Sequence, residues 1–251
     1  MKRVRILLVI VGLATTTSSL AAQEWIYGLT PYLWFAGIKG DVATIPGAPP
    51  GPIDVPVGEA LEDTKTSLMF WLDARKDGHG LFMDFLYSDV RSMEELVPPP
   101  IDLLMRSTSK TTLWTMAYEY ELIRTDQGLL DFVIGGRYWD IDTRLEFGGG
   151  LGILDGITVR HAESWIDPVV ALKGYTQFAD SSFYMSGAVA LGGFNVGSDL
   201  FYDMAVNFGY QWTPRIGTAL GYRYFDVKYE KNEFLYDVAQ EGWSLSATFH
   251  Y

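Results

Sequence analysis

Residues 201–212, FYDMAVNFGYQW, alternate without a break. Tyr202, Met204, Val206, Phe208, Tyr210 and Trp212 fall on one side, and Asp203, Ala205, Asn207, Gly209 and Gln211 on the other. Successive side chains of a strand point to opposite faces, so the stretch predicts a β-strand with one large apolar face and one small or polar face. The split recurs. Trp114, Met116, Tyr118, Tyr120 and Leu122 oppose Thr115, Ala117, Glu119 and Glu121. Leu130, Phe132, Ile134 and Tyr138 oppose Asp131, Gly135 and Arg137. Val170, Leu172 and Phe178 oppose Asp167, Ala171, Lys173 and Gln177, while Ile216, Leu220, Tyr222 and Tyr224 oppose Gly217, Ala219, Gly221 and Arg223. Turn-forming residues divide the chain into ten expected strands, near 25–40, 64–76, 80–92, 107–124, 129–145, 159–178, 182–196, 200–212, 215–229 and 233–251.

Alternation alone also fits a soluble sandwich, whose apolar face points inward. Three features reverse that reading. The polar face is rich in Gly, Ala and Ser with isolated charges of both signs, which suits a narrow lumen better than a solvated surface. Aromatics make up 15% of the chain and gather at two depths. Tyr120, Phe132, Phe178, Phe183, Tyr210, Trp212, Phe249 and Tyr251 lie near one set of strand ends, and Tyr87, Tyr138, Tyr202, Tyr222 and Tyr224 toward the other. Two such belts match the two interfaces of a bilayer. Connections also alternate. Short turns at 76–80, 124–128, 179–181 and 213–214 face one side, and every long loop, at 41–63, 93–106 and 146–158, faces the other, with tight turns at 197–199 and 230–232. The expected fold is all-β: an up-and-down antiparallel transmembrane barrel of ten strands, or of eight with two short elements outside it.

The ends of the sequence agree with that expectation. Residues 1–22 read as a cleaved signal peptide: Lys2, Arg3 and Arg5, a short apolar run, then small residues before Gln23. Residues 23–251 then form the barrel. The last stretch, WSLSATFHY, places Trp243, Leu245, Phe249 and Tyr251 on one face, and alternating aromatics there resemble the C-terminal insertion signal of bacterial outer-membrane barrels. Outer-membrane lipid and, during insertion, the outer-membrane assembly machinery are the expected partners. A formal net charge of −12 argues against nucleic acid, which needs a basic surface. There is no cysteine, hence no disulfide or thiol chemistry.

PYLWFAGIKGDV (31–42), GGRYWDIDT (135–143), WIDPVVALKG (165–174), GGFNVGSDL (192–200) and GYRYFDVKY (221–229) resemble, in this order, an uncharacterised, porin-like family of small proteobacterial outer-membrane β-barrel proteins. The resemblance spans nearly all of 23–251. It implies a bacterial outer-membrane location and a barrel, and implies no catalytic residue.

Strand phase puts Asp73, Arg75, Asp84, Glu119, Glu121, Asp131, Arg137, Asp167, Lys173, Asp203 and Arg223 on the inner face. A lumen network is expected, because a buried charge needs a partner. Arg137, Lys173 and Arg223 should face Glu119, Asp167 and Asp203. The surplus of acids would favour cations if water ran through. Tyr32, Trp34, Trp71 and Trp139 also face inward and are candidates for an apolar pocket for a small molecule. The Pro- and Gly-rich segment 45–58 either folds over the mouth or lies free on the surface, and 57–62 is long enough for one helical turn. His161, near an outer strand end and in reach of Asp140 or Asp142, is similar to the carboxylate–histidine rims of the ten-stranded omptin proteases. No second catalytic motif, phosphate loop or Cys/His metal cluster accompanies it. The leading expectation is non-enzymatic and cofactor-free: a narrow cation-preferring channel, or a structural envelope protein with surface-exposed binding loops. The alternatives are a carrier of small apolar molecules and a lipid- or peptide-hydrolysing enzyme at the outer rim.

Overall fold

The structure, a computed structural model, describes residues 24–251 except 46, 48, 98–101, 150–154 and 179–180. The expected signal peptide lies outside the described residues. The elements are β1 (Ile26–Ala43), β2 (Gly51–Val55), α1 (Val57–Asp63), β3 (Thr64–Lys76), β4 (His79–Val97), β5 (Leu103–Arg124), β6 (Gly128–Gly149), β7 (Thr158–Gln177), β8 (Phe183–Gly192), β9 (Leu200–Thr213), β10 (Ile216–Lys231) and β11 (Phe234–His250).

Ten strands, β1 and β3 to β11, close an antiparallel barrel, with β11 pairing back onto β1 from Gly28↔His250 to Ala43↔Leu235. Closure leaves no strand edge to face lipid at this join. β2 is a further short strand laid on the outer half of β1. The eight-strand alternative is therefore wrong. Two-residue turns help to set the register. Asp77 and Gly78 (φ 52° and 77°) join β3 to β4, and Asn232 and Glu233 (φ 51° and 67°) join β10 to β11. This left-handed geometry matches the twist of the flanking strands.

The outer ends depart from expectation in three places. Much of 93–106 and 146–158 is ladder rather than loop: Met93 pairs with Arg106, and Arg106 with Glu146. Beyond the bilayer both faces of a strand meet water, so the apolar–polar alternation fades while the hydrogen bonds continue. Residues 51–55 lie beside β1 and not across the mouth, with Pro52 opposite Asp41 on an edge strand that can spare a donor. The strand expected at 182–196, β8, ends at Gly192, and 197–199 is not a tight turn. It belongs to a seven-residue connection, 193–199, in which Phe194 and Asn195 are left-handed (φ 50° and 59°).

The apolar core lies inside the barrel, toward its outer half. It is built from Tyr32, Met69, Leu86, Leu113, Trp139, Ile141, Trp165, Phe201, Phe225, Val227, Tyr229 and Phe234 among others. The inner half holds the charges.

Candidate functional site: the packed lumen

Two charge layers cross the lumen. In the inner layer the Arg75 guanidinium on β3 pairs with Asp131 on β6 and lies 3.2 Å from Glu119 and 3.4 Å from Glu121 on β5. Lys173 Nζ on β7 reaches across to Asp73 Oδ1 at 2.5 Å and Glu119 Oε1 at 2.8 Å. Arg124, at the rim, donates to Glu121 at 2.9 Å. Four carboxylates thus share Arg75 and Lys173, with Arg124 outside them.

The second layer lies further out and is balanced. Arg223 on β10 grips Asp203 on β9 with two bonds, Nε to Oδ1 at 2.8 Å and Nη2 to Oδ2 at 2.7 Å. The same Nη2 reaches Asp84 Oδ2 on β4 at 3.2 Å, and Nη1 donates to the Tyr32 hydroxyl at 3.1 Å. Tyr32 in turn donates to Asp84 Oδ1 at 2.8 Å. Arg137 on β6 donates to Asp203 Oδ2 at 2.7 Å and to Thr115 Oγ1 at 2.8 Å. The planar arginine fork explains why both cations here are Arg: each holds several acceptors in fixed geometry. All four charged groups are buried. Removing one would strand its partners in low dielectric, at a cost of about 3–5 kcal/mol.

Between the layers is a cavity of about 90 Å³, walled by Ala117, Ala171, Ala188, Ala190 and Ala205, with Trp71 and Phe82 at one side. It has room for about three waters. Arg137 Nη1 is buried without a partner among the described residues, and Arg137 is part of this wall.

Outside the second layer the lumen is filled by rings. Trp139 stacks on Trp165 (centroids 5.2 Å apart, planes 10° apart), and Trp165 on Tyr229 (3.9 Å, 12°). Phe201 and Phe225 close on Trp139, and the Arg137 guanidinium lies 4.6 Å from the Phe201 ring. The expected apolar pocket is therefore not one site. Trp139 is only 1% exposed and sits in this plug. Tyr32 and Trp71 do stack, at 4.7 Å, but the Tyr32 hydroxyl belongs to the charge layer. Trp34 lies under the Arg223 guanidinium at 5.1 Å.

Asp167 also departs from expectation. No base reaches it among the described residues. Its carboxylate accepts from Ser198 N (2.6 Å), Ser198 Oγ (2.7 Å) and Trp165 Nε1 (3.2 Å). Phe201, Phe225 and Tyr229 escaped the sequence reading, although their phase marks them as inward. Their inner face switches from small and polar to aromatic above Arg223, and that switch blurred the alternation beyond Tyr224.

The outside of the barrel is its apolar side. Leu33, Leu81, Met116, Ile134, Ile166, Leu172, Val206 and Leu220 are exposed there, between an inner belt that includes Tyr120, Phe178, Phe183 and Trp212 and an outer belt of Tyr138, Tyr202 and Tyr222. Trp243, Leu245 and Tyr251 join this exposed surface, and Phe249 is half-buried. Such a surface is stable only in hydrocarbon. This is a transmembrane β-barrel. No protein-family model matches the chain, and no curated protein matches it by sequence. Solved structures do resemble it. The transport unit of the autotransporter AIDA-I from Escherichia coli is 6% identical, with 94% of this chain and 92% of that one covered and a TM-score of 0.46. Ail of Yersinia pestis is 13% identical over 91% of this chain and 99% of that one, with a TM-score of 0.38. A Pseudomonas aeruginosa FadL homologue is 11% identical over 90% of each chain, with a TM-score of 0.37.

At the outer rim, His161 does not meet Asp140 or Asp142. Its Nε2 lies 3.7 Å from Glu163, and its ring packs against Phe234 at 5.7 Å. Asp142 is held by Arg160 through two bonds of 2.8 and 2.6 Å, and Tyr138 donates to Asp140 at 3.4 Å.

Proposed function

We propose that this barrel is a non-enzymatic envelope protein with a closed lumen, and that it acts through its outer rim and loops. One observation carries the reading. Side chains span the lumen from wall to wall three times over, at the Arg75–Lys173 layer, the Arg137–Arg223 layer and the Trp139–Trp165–Tyr229 plug. A solute crossing along the axis would have to break buried ion pairs and unstack rings. The rim supports the same view, since its carboxylates and His161 are engaged with one another and with Arg160 in place of a substrate-facing acid and base.

The test is conductance of refolded protein in a planar bilayer, wild type beside Arg137→Ala. Silence from the wild type, with folded protein confirmed in the membrane, is the expected outcome. Steady cation-preferring steps that change with Arg137→Ala would overturn it and favour a narrow channel, whose acid-rich inner layer would set the selectivity.

A further inference from the structure

The axis is packed, but the wall is not continuous. The β1–β3 ladder runs only from Ile26↔Arg75 to Pro31↔Phe70. Outward of that point β1 keeps its pairing with β11 as far as Ala43, and β3 keeps its pairing with β4 as far as Thr64. The two strands have parted, and residues 32–37 and 64–69 have no ladder between them. Tyr27 and Tyr251 exchange both backbone hydrogen bonds, so the N–H that Pro31 lacks is on the β11 side, where the ladder skips Thr30 and Pro31; the parting from β3 begins one residue later, at Tyr32. From Ile38 outward, β2 takes the free edge of β1.

The register fixes the depth of this seam. Phe35 is level with Trp243 and Tyr222, and Leu68 with Tyr87, so the seam opens at the outer aromatic belt. Leu33 and Leu68, half-exposed, flank it on the lipid side. Its cover is α1. That helix is seven residues long, has no buried residue and no side-chain cap at its N-terminus, and presses Val57 against the backbone at Gly37. A helix this short has little stability of its own. Behind the seam stand Tyr32, Trp34, Met69 and Trp71, and the side chain of Trp71 is a wall of the 90 Å³ cavity.

We propose that this seam is a lateral passage by which a small apolar molecule dissolved in the outer leaflet reaches Tyr32, Trp34 and Trp71 and the cavity behind them. Two buried donors along the path lack partners among the described residues, Trp34 Nε1 and Arg137 Nη1. The fitting molecule is therefore uncharged, with an apolar body and a hydrogen-bond acceptor. The cavity receives a group of a few heavy atoms, and the rest of the molecule lies between the aromatic rings. Passage through the wall needs no opening of the axis, so this inference stands independently of the closed-lumen reading.

The chain has no cysteine, so a single introduced thiol is the sole target for a maleimide. Met69→Cys places it behind the seam. Leu113→Cys is the control: Met69, Leu86 and Leu113 are paired in one row and similarly buried, but Leu113 lies between unbroken ladders to β4 and β6. Folded protein in phosphatidylcholine vesicles is exposed to N-cyclohexylmaleimide, which dissolves in the bilayer and carries carbonyl acceptors, or to a sulfonated maleimide confined to water. The expected result is at least tenfold faster labelling of Met69→Cys than of Leu113→Cys by the first reagent, and equally slow labelling of both by the second. Equal rates with N-cyclohexylmaleimide, or fastest labelling by the charged reagent, would overturn the proposal. Ser67→Cys, one inward position further out on β3, replaces Met69→Cys if heat-modifiable gel mobility shows that variant unfolded.

Discussion

Two breaks in the wall have been finished in opposite ways. β1 leaves β3 after Pro31, while β7 has no β8 partner outward of Val169, the residue after Pro168. At the second break the connection 193–199 turns inward and seals it. Gly193 N donates to the Pro168 carbonyl at 3.1 Å, Ser198 donates to Asp167 from both N and Oγ, and Trp165 Nε1 donates to Ser198 Oγ at 2.8 Å. Asp167 and Ser198 are fully buried. At the first break the cover is a short helix with nothing buried. The comparison teaches that the end of a ladder does not decide how the gap beyond it is finished. A neighbouring segment that brings polar groups of its own closes the gap. One that only lies across it leaves the backbone edges unpaired.

The comparison can be broken most forcefully at the sealed side. Asp167→Ala removes three hydrogen bonds to a carboxylate and leaves the Ser198 amide with no acceptor, so a loss of about 3 kcal/mol is expected in urea unfolding of the vesicle-bound protein. It should also raise maleimide labelling of a cysteine placed at Val169; an unchanged midpoint and rate would mean that the loop seals by shape alone. On the open side the strongest tie is Tyr32, whose hydroxyl links Asp84 to Arg223 directly behind the gap. Tyr32→Phe should cost about 1 kcal/mol and speed labelling of Met69→Cys severalfold. A stability loss with no change in labelling would separate the charge layer from the seam. The smallest effect is expected in the cover. Leu61→Ala on exposed α1 should shift stability by less than about 0.5 kcal/mol, and a larger loss would show that α1 packs more firmly than its exposure indicates.

Strand existence, strand number and the inward set of charges were legible because the bilayer imposes one simple rule: large apolar side chains face out, and everything else faces in. Where that rule lapses, the sequence became hard to read. Above the outer belt, strands such as β5 and β6 continue in water without the apolar outer face, as at the paired Arg106 and Glu146, and so looked like loops. Inside the outer half the pattern inverts, with Phe225, Val227 and Tyr229 facing in and Asp226, Lys228 and Glu230 facing out. Asp167 looked like a member of the charge layer because its partner, Ser198, arrives from a connection whose left-handed Phe194 and Asn195 sat within the strand expected at 182–196. Only the second break had a visible mark, since Pro168, whose carbonyl faces Gly193, lacks the N–H that would continue the ladder to β8.

The join between β1 and β11 carries a kinetic consequence. Thr30 donates to Thr248 across a sequence separation of 218 positions. Hairpins such as β3–β4 or β10–β11 form from neighbours and lose little loop entropy, whereas this pairing must gather nearly the whole chain before it returns any stabilisation. Until it forms, two long strand edges remain open to wrong partners, including a second copy of the same chain. The time taken to mature is therefore set by one late ring closure, and a mutation along Gly28–Ala43 or Leu235–His250 should slow folding more than an equally destabilising one in β3–β4.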